Sequence, residues 1–119
     1  QTRETWERFR TVIRPAVSRG NAKFLQELHG AGYAFSFDVD DLEAPFFRPS
    51  LFLLGRQDSV VGYRDAWKLL VHYPRASFVI LDRAGHSLEV EQEALFNTLS
   101  GEWLDRVREE MTKLPPPSP

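Results

Sequence analysis

Two short apolar runs, each closed by a glycine-containing loop with one titratable residue, constrain this chain more than anything else in it. They read Pro49-Ser-Leu-Phe-Leu-Leu-Gly-Arg-Gln-Asp58 and Ser77-Phe-Val-Ile-Leu-Asp-Arg-Ala-Gly-His86. Leu51 to Leu54 and Phe78 to Leu81 are continuous rather than alternating, which predicts strands buried on both faces and hence a parallel sheet. Between them, Gly62 to Tyr73 carries Tyr63, Ala66, Trp67 and Leu70 on one stripe, the pattern of an amphipathic helix. A strand–helix–strand unit of this kind pairs its strands in parallel through a right-handed crossover. Asp58 and His86 then fall at the carboxyl ends of neighbouring strands, where open α/β sheets hold their ligands. Two strands would leave unpaired edges and apolar faces in water. The expected fold class is therefore α/β, with these strands at one end of a larger doubly wound parallel sheet.

The rest of the chain is helical or irregular. Trp6, Phe9, Ile13 and Val17 recur at helical spacing, with Glu4, Glu7, Arg8 and Arg10 on the other side, and Pro15 is expected to kink or split the segment. Asn21 is a fitting N-cap for a short helix with Phe24, Leu25 and Leu28, expected to stop at Gly30 and Gly32. From Tyr33 to Pro49 the pattern is irregular. A final helix from about Glu91 to Glu110 shows Leu95, Leu99, Trp103 and Val107, and Pro115–Pro119 reads as an extended, mobile tail. The segments expected are 1–48, helical and aromatic-rich; 49–110, the strand-bearing part; and 111–119, the tail.

Composition narrows the function classes. The chain has 119 residues, enough for a core of its own, with 15 basic and 17 acidic residues and a net charge of −2. No basic stripe marks a nucleic-acid partner. Without cysteine there is no disulfide, no thiolate nucleophile and no cysteine-based zinc site. The apolar runs are too short to span a bilayer, so no membrane partner is expected. The first residues do not resemble a signal peptide, and the cytoplasm is the default compartment. The chain does not begin with Met and is expected to start inside a longer protein. No metal is expected either. His86, Glu89 and Glu91 offer one histidine and two acids, a thin ligand set. Asp38, Asp40 and Asp41 lack the glycine and distal glutamate of an EF-hand loop and read as a solvated turn. His29 and His72 close helices, where a histidine suits the helix dipole, and they receive no further role. Trp67 and Trp103 are expected to pack, and Arg56 and Gln57 to orient the acid loop without catalysing.

The two runs carry a resemblance. Pro49 to Asp58, followed by Val60-Val61 and an amphipathic helix, resembles the acid-bearing strand and loop of the α/β-hydrolase fold. Phe78 to Leu88, followed by Glu91-Gln92 and a helix with Phe96 and Trp103-Leu104, resembles that family's histidine loop and final helix. The family order is nucleophile, acid, histidine, and this chain keeps the last two in that order. The resemblance covers about residues 49–108. Residues 1–48 are similar in character to the cap that precedes this part in many members.

What the resemblance implies is specific. His86 would take a proton from the nucleophile and return it to the leaving group, while Asp58 would fix its tautomer and stabilise the imidazolium. Gly85 would let a tight loop turn the imidazole over the sheet. Phe35, Phe37, Phe46 and Phe47 would line an apolar substrate pocket, although ordinary core filling explains them equally well. None of the chain's serines lies in a Gly-x-Ser-x-Gly elbow, and no glycine-rich oxyanion segment is present. The nucleophile, and the rest of the sheet, are therefore expected from an N-terminal segment absent here or from a second chain. The implied activity is hydrolysis of a small-molecule ester, thioester or amide with no cofactor, by a Ser, Asp or Cys nucleophile, and the chain alone would be inactive. The alternative is a truncated, non-catalytic binding or regulatory module that covers its open sheet edge as a homodimer.

Overall fold

A computed structural model describes residues 2–32, 35–38 and 42–113. Tyr33, Asp40, Asp41 and the Pro115–Pro119 tail lie outside the described residues. The chain divides into two compact units, Gln1–Asp41 and Leu42–Pro119.

The first unit is helical. Helix α1 (Arg3–Arg8) is capped by Thr2, whose Oγ1 accepts from the Thr5 amide at 3.2 Å. A π-helical turn (Phe9–Ile13) follows, and then α2 (Arg14–Ser18) with Pro15 in its first turn. The expected split has a physical cause. Pro15 has no N–H to give and its ring crowds the carbonyl four residues back, so the helix widens ahead of it and restarts. Trp6 and Phe9 stack with ring centroids 5.8 Å apart. Helix α3 (Ala22–Ala31) is capped as expected, the Asn21 Oδ1 accepting from Phe24 N at 3.1 Å. It runs through Gly30 rather than stopping there and ends at Gly32, whose φ of +83° is the left-handed stop that glycine adopts without strain. His29 sits one turn from that end and its Nδ1 lies 2.6 Å from the Leu25 carbonyl.

The second unit holds the sheet. Strand β1 (Ser50–Gly55) runs parallel to β2 (Ala76–Leu81), in register from Ser50 beside Ala76 to Gly55 beside Leu81. The crossover helix is shorter than its stripe suggested. Gly62, at φ +71°, is not helical, and α4 spans only Arg64–Lys68 before tightening into a 3₁₀ turn, Leu69–His72. Pro74 explains the end, since the residue before a proline is pushed out of the helical region. Trp67, expected to pack, is 61% exposed, although its ring meets Phe78 edge-on at 5.1 Å.

The expected burial of both strand faces is not observed. Leu51 to Leu54 and Phe78 to Leu81 are all half-buried, because a two-stranded sheet cannot cover its own edges and both of its faces. The last helical region is also divided, into a single turn α5 (Leu88–Glu91) and a long α6 (Glu93–Thr112). Trp103 on α6 does pack as expected, donating its indole N–H to the Pro49 carbonyl at 3.0 Å.

Charged groups tie α6 to the amino ends of the strands. Glu110 accepts from Arg48 Nη1 at 2.8 Å and from Arg75 Nη1 at 2.7 Å, one arginine just ahead of each strand. Arg106 donates to the Arg75 carbonyl at 3.2 Å and to Ser77 Oγ at 2.8 Å. The hydrogen bond from Arg75 leads the effects that hold the Glu110 carboxyl below its ordinary 4.5. Partial burial opposes it and Arg48 reinforces it.

Candidate catalytic pair at the strand ends

At the other end of the strands the two loops are sewn to each other. Beyond β1, Arg56 N donates to the Leu81 carbonyl and Gln57 N to that of Ala84, both at 2.9 Å. The Gln57 side chain adds a third link, its Nε2 donating to the Asp82 carbonyl at 2.8 Å. Gly55 makes this crossing possible through space rather than dihedral freedom. A Cβ there would lie 2.5 Å from the Ala84 carbonyl oxygen and closer still to that of Gly85. Sequence reasoning gave Gly55 no role, since nothing local announces that a second loop will pass over it.

The loop ahead of His86 and the turn after it hold buried apolar residues. Ala84 is fully buried, and Leu88 and Val90 on α5 nearly so.

Asp58 and His86, 28 residues apart, meet here: Asp58 Oδ2 lies 3.1 Å from His86 Nδ1. The other carboxylate oxygen accepts from the amides of Val60 at 2.8 Å and Val61 at 3.1 Å. Burial works to raise the Asp58 pKa, but the bonds from Val60, His86 and Val61 and the attraction of the imidazole prevail and hold it below 3.8. An ionised carboxylate has no proton to give, so Nδ1 of His86 is the donor and neutral His86 keeps its lone pair on Nε2. The Asp58 side chain is 8% exposed and that of His86 59% exposed. The carboxylate is sheltered and the imidazole is open to solvent.

Gly85, ahead of His86, is not in a left-handed conformation; among the described residues the positive-φ glycines are Gly32 and Gly62. Gly85 also makes a close approach. Its N–H donates to Glu91 Oε2, and a Cβ would lie 3.3 Å from each oxygen of that carboxylate. Glu91 is thereby engaged by the loop, and among the described residues no group of three or more His, Asp or Glu side chains could hold a metal ion.

The aromatic candidates are divided between the two units. Phe35 and Phe37, in the first unit, are largely exposed, and their rings meet at a tilt with centroids 5.3 Å apart. Phe46 lies in the second unit against Tyr73 at 6.0 Å, and its amide donates to the His72 carbonyl at 2.7 Å. Tyr73 precedes β2 whereas His86 follows it, so Phe46 is at the far end of the strands from the pair. Phe47 is 62% exposed.

A parallel strand pair with the acid after one strand, the histidine after the next, and a long closing helix is α/β-hydrolase architecture, and the chain has that fold. The crystal structure of an α/β superfamily hydrolase from Oenococcus oeni PSU-1 matches 91% of this chain with a TM-score of 0.79 and 26% identity. The chain spans 40% of the length of that hydrolase. No family model and no curated protein matches the sequence. Among the described residues no helix is long and apolar enough to cross a membrane.

Proposed function

We propose that this chain is part of a hydrolase of small ester, thioester or amide substrates, to which it contributes the acid and the base of a catalytic triad. The observation that carries the proposal is the sheltered Asp58 carboxylate bonded to Nδ1 of a solvent-open His86, at the carboxyl ends of two parallel strands.

In this reading Nε2 of His86 takes the proton of a nucleophile as that nucleophile attacks the substrate carbonyl. The imidazolium so formed donates its Nδ1–H to Asp58, which stays ionised, and then passes the Nε2 proton to the leaving group. Water repeats the cycle to release the acid. The nucleophile and the oxyanion donors are supplied by a segment outside this chain, and the pair works with either a serine or a cysteine there; with an aspartate nucleophile, His86 would instead activate the water of the second step. Side chains and backbone donors suffice for this chemistry, with no cofactor.

The test is hydrolysis of small activated esters and thioesters by the protein that joins this chain to the segment bearing the nucleophile. His86→Ala there is expected to lower kcat by about 10²–10⁴-fold, the range of general acid–base catalysis. Full activity in that variant would remove the assignment of Asp58 and His86.

A further inference from the structure

We infer that Glu91 is a positioning residue for His86, acting through the Gly85 amide, and that the missing side chain of Gly85 is what admits its carboxylate. This inference rests on the reading of His86 as the base.

His86 is poorly held by packing. Its side chain is 59% exposed, and among the described residues its anchor is the bond from Nδ1 to Asp58. The direction in which the ring leaves the loop therefore depends on how the backbone at residue 86 is fixed. The Gly85 N–H, one residue before it, points into the fold, and the group that receives it is Glu91 Oε2. A charged acceptor makes such a bond stronger than a neutral one does.

Glu91 is well placed to be rigid. It ends the one-turn helix α5, where the amides of Val90 and Glu91 both donate to the Ser87 carbonyl at 2.9 Å. Its neighbours Leu88 and Val90 are buried. The chain thus leaves Gly85, turns once through α5, and returns a carboxylate to its starting point. His86 is caught inside that circuit. With a Cβ at residue 85 the carboxylate would have to shift by a few tenths of an ångström, so the two residues form a matched pair.

The experiment reads His86 directly, by nitrogen-15 imidazole shifts and amide hydrogen exchange in the purified protein. The wild type is expected to show the Nδ1–H tautomer and a protected Gly85 amide. Glu91→Ala is expected to mix the tautomers and to speed exchange at Gly85 by about 10-fold or more. Glu91→Gln keeps an acceptor oxygen and is expected to restore both. Gly85→Ala should disturb the tautomer alone but add little to Glu91→Ala, because the carboxylate it displaces is already gone. Where hydrolysis is measured, Glu91→Ala should lower kcat by about 10–100-fold at unchanged KM.

Unchanged tautomer and exchange in Glu91→Ala would overturn the inference, as would a Glu91→Gln variant no better than the alanine. Should Glu91→Ala not fold, Glu91→Gln and Gly85→Ala decide it by the same two readouts. A protein that hydrolyses nothing while these shifts appear would sink the hydrolase reading and leave the role of Glu91 standing.

Discussion

Asp58 collects three hydrogen bonds on two oxygens, and each favours its charged form. The two backbone amides bond to the carboxylate independently of the histidine, on its other oxygen. Asp58→Asn would present an amide to Nδ1. An amide NH₂ facing the ring favours the tautomer with the proton on Nε2, which cannot accept one. On the proposed triad reading, the expected loss in hydrolysis is on the order of 10⁴-fold, as when an amide replaces a triad acid without disturbing the fold. A second consequence concerns stability. The folded-state pKa of Asp58 is depressed below 3.8, so its contribution is present above the unfolded value and is lost as pH falls through the folded one. Acid titration of the folded protein should therefore show a loss of stability below about pH 4 that Asp58→Asn flattens. An identical acid profile in the variant would mean the three bonds do not distinguish the folded from the unfolded carboxyl.

At the scale of elements, polar links join the chain at both ends of the strand pair. The carboxyl end depends on backbone approach, and Gly55→Ala tests it. Its Cβ would meet carbonyl oxygens of the His86 loop, which are backbone and cannot swing aside, so a loss of about 1–3 kcal/mol is expected in urea unfolding. The amino end depends on charge. Glu110→Gln replaces a carboxylate that two arginines share and should lower Tm by a few degrees at neutral pH. Below the Glu110 folded pKa the variant and the parent should converge, since that value is depressed and the contribution is lost on acidification. What could be read in advance follows the same division. The strands, the crossover and the meeting of Asp58 with His86 were legible, because each is written in a run of neighbouring residues. The α5 break was not, nor were the roles of Gly55, Glu91 and Glu110. These depend on which distant backbone or side chain arrives: Arg48 and Glu110, for instance, are 62 residues apart with no pattern between them.

For the whole molecule the deciding fact is how little apolar surface the second unit encloses. Trp67, Val60, Val61, Val71 and Phe47 are each more than half exposed, and no residue of either strand except Gly55 is buried. Continuous runs such as Leu51 to Leu54 belong in a sheet covered on both sides, so the sequence is written for neighbours that two strands do not provide. An open parallel edge with such faces associates with whatever completes it. Sedimentation of the chain alone should therefore show association that grows with concentration and has no single end point. Adding the segment that carries the nucleophile should replace it with one species containing one copy of each. The binding-module reading predicts a different result, a discrete homodimer at low concentration, because a C₂ interface pairs the same edge of each copy and closes on itself. A monodisperse dimer that the added segment fails to dissociate would favour that module and leave Asp58 and His86 without a nucleophile. Open-ended association resolved by the added segment would mean that the strands, like the acid and base they carry, are one end of a larger sheet.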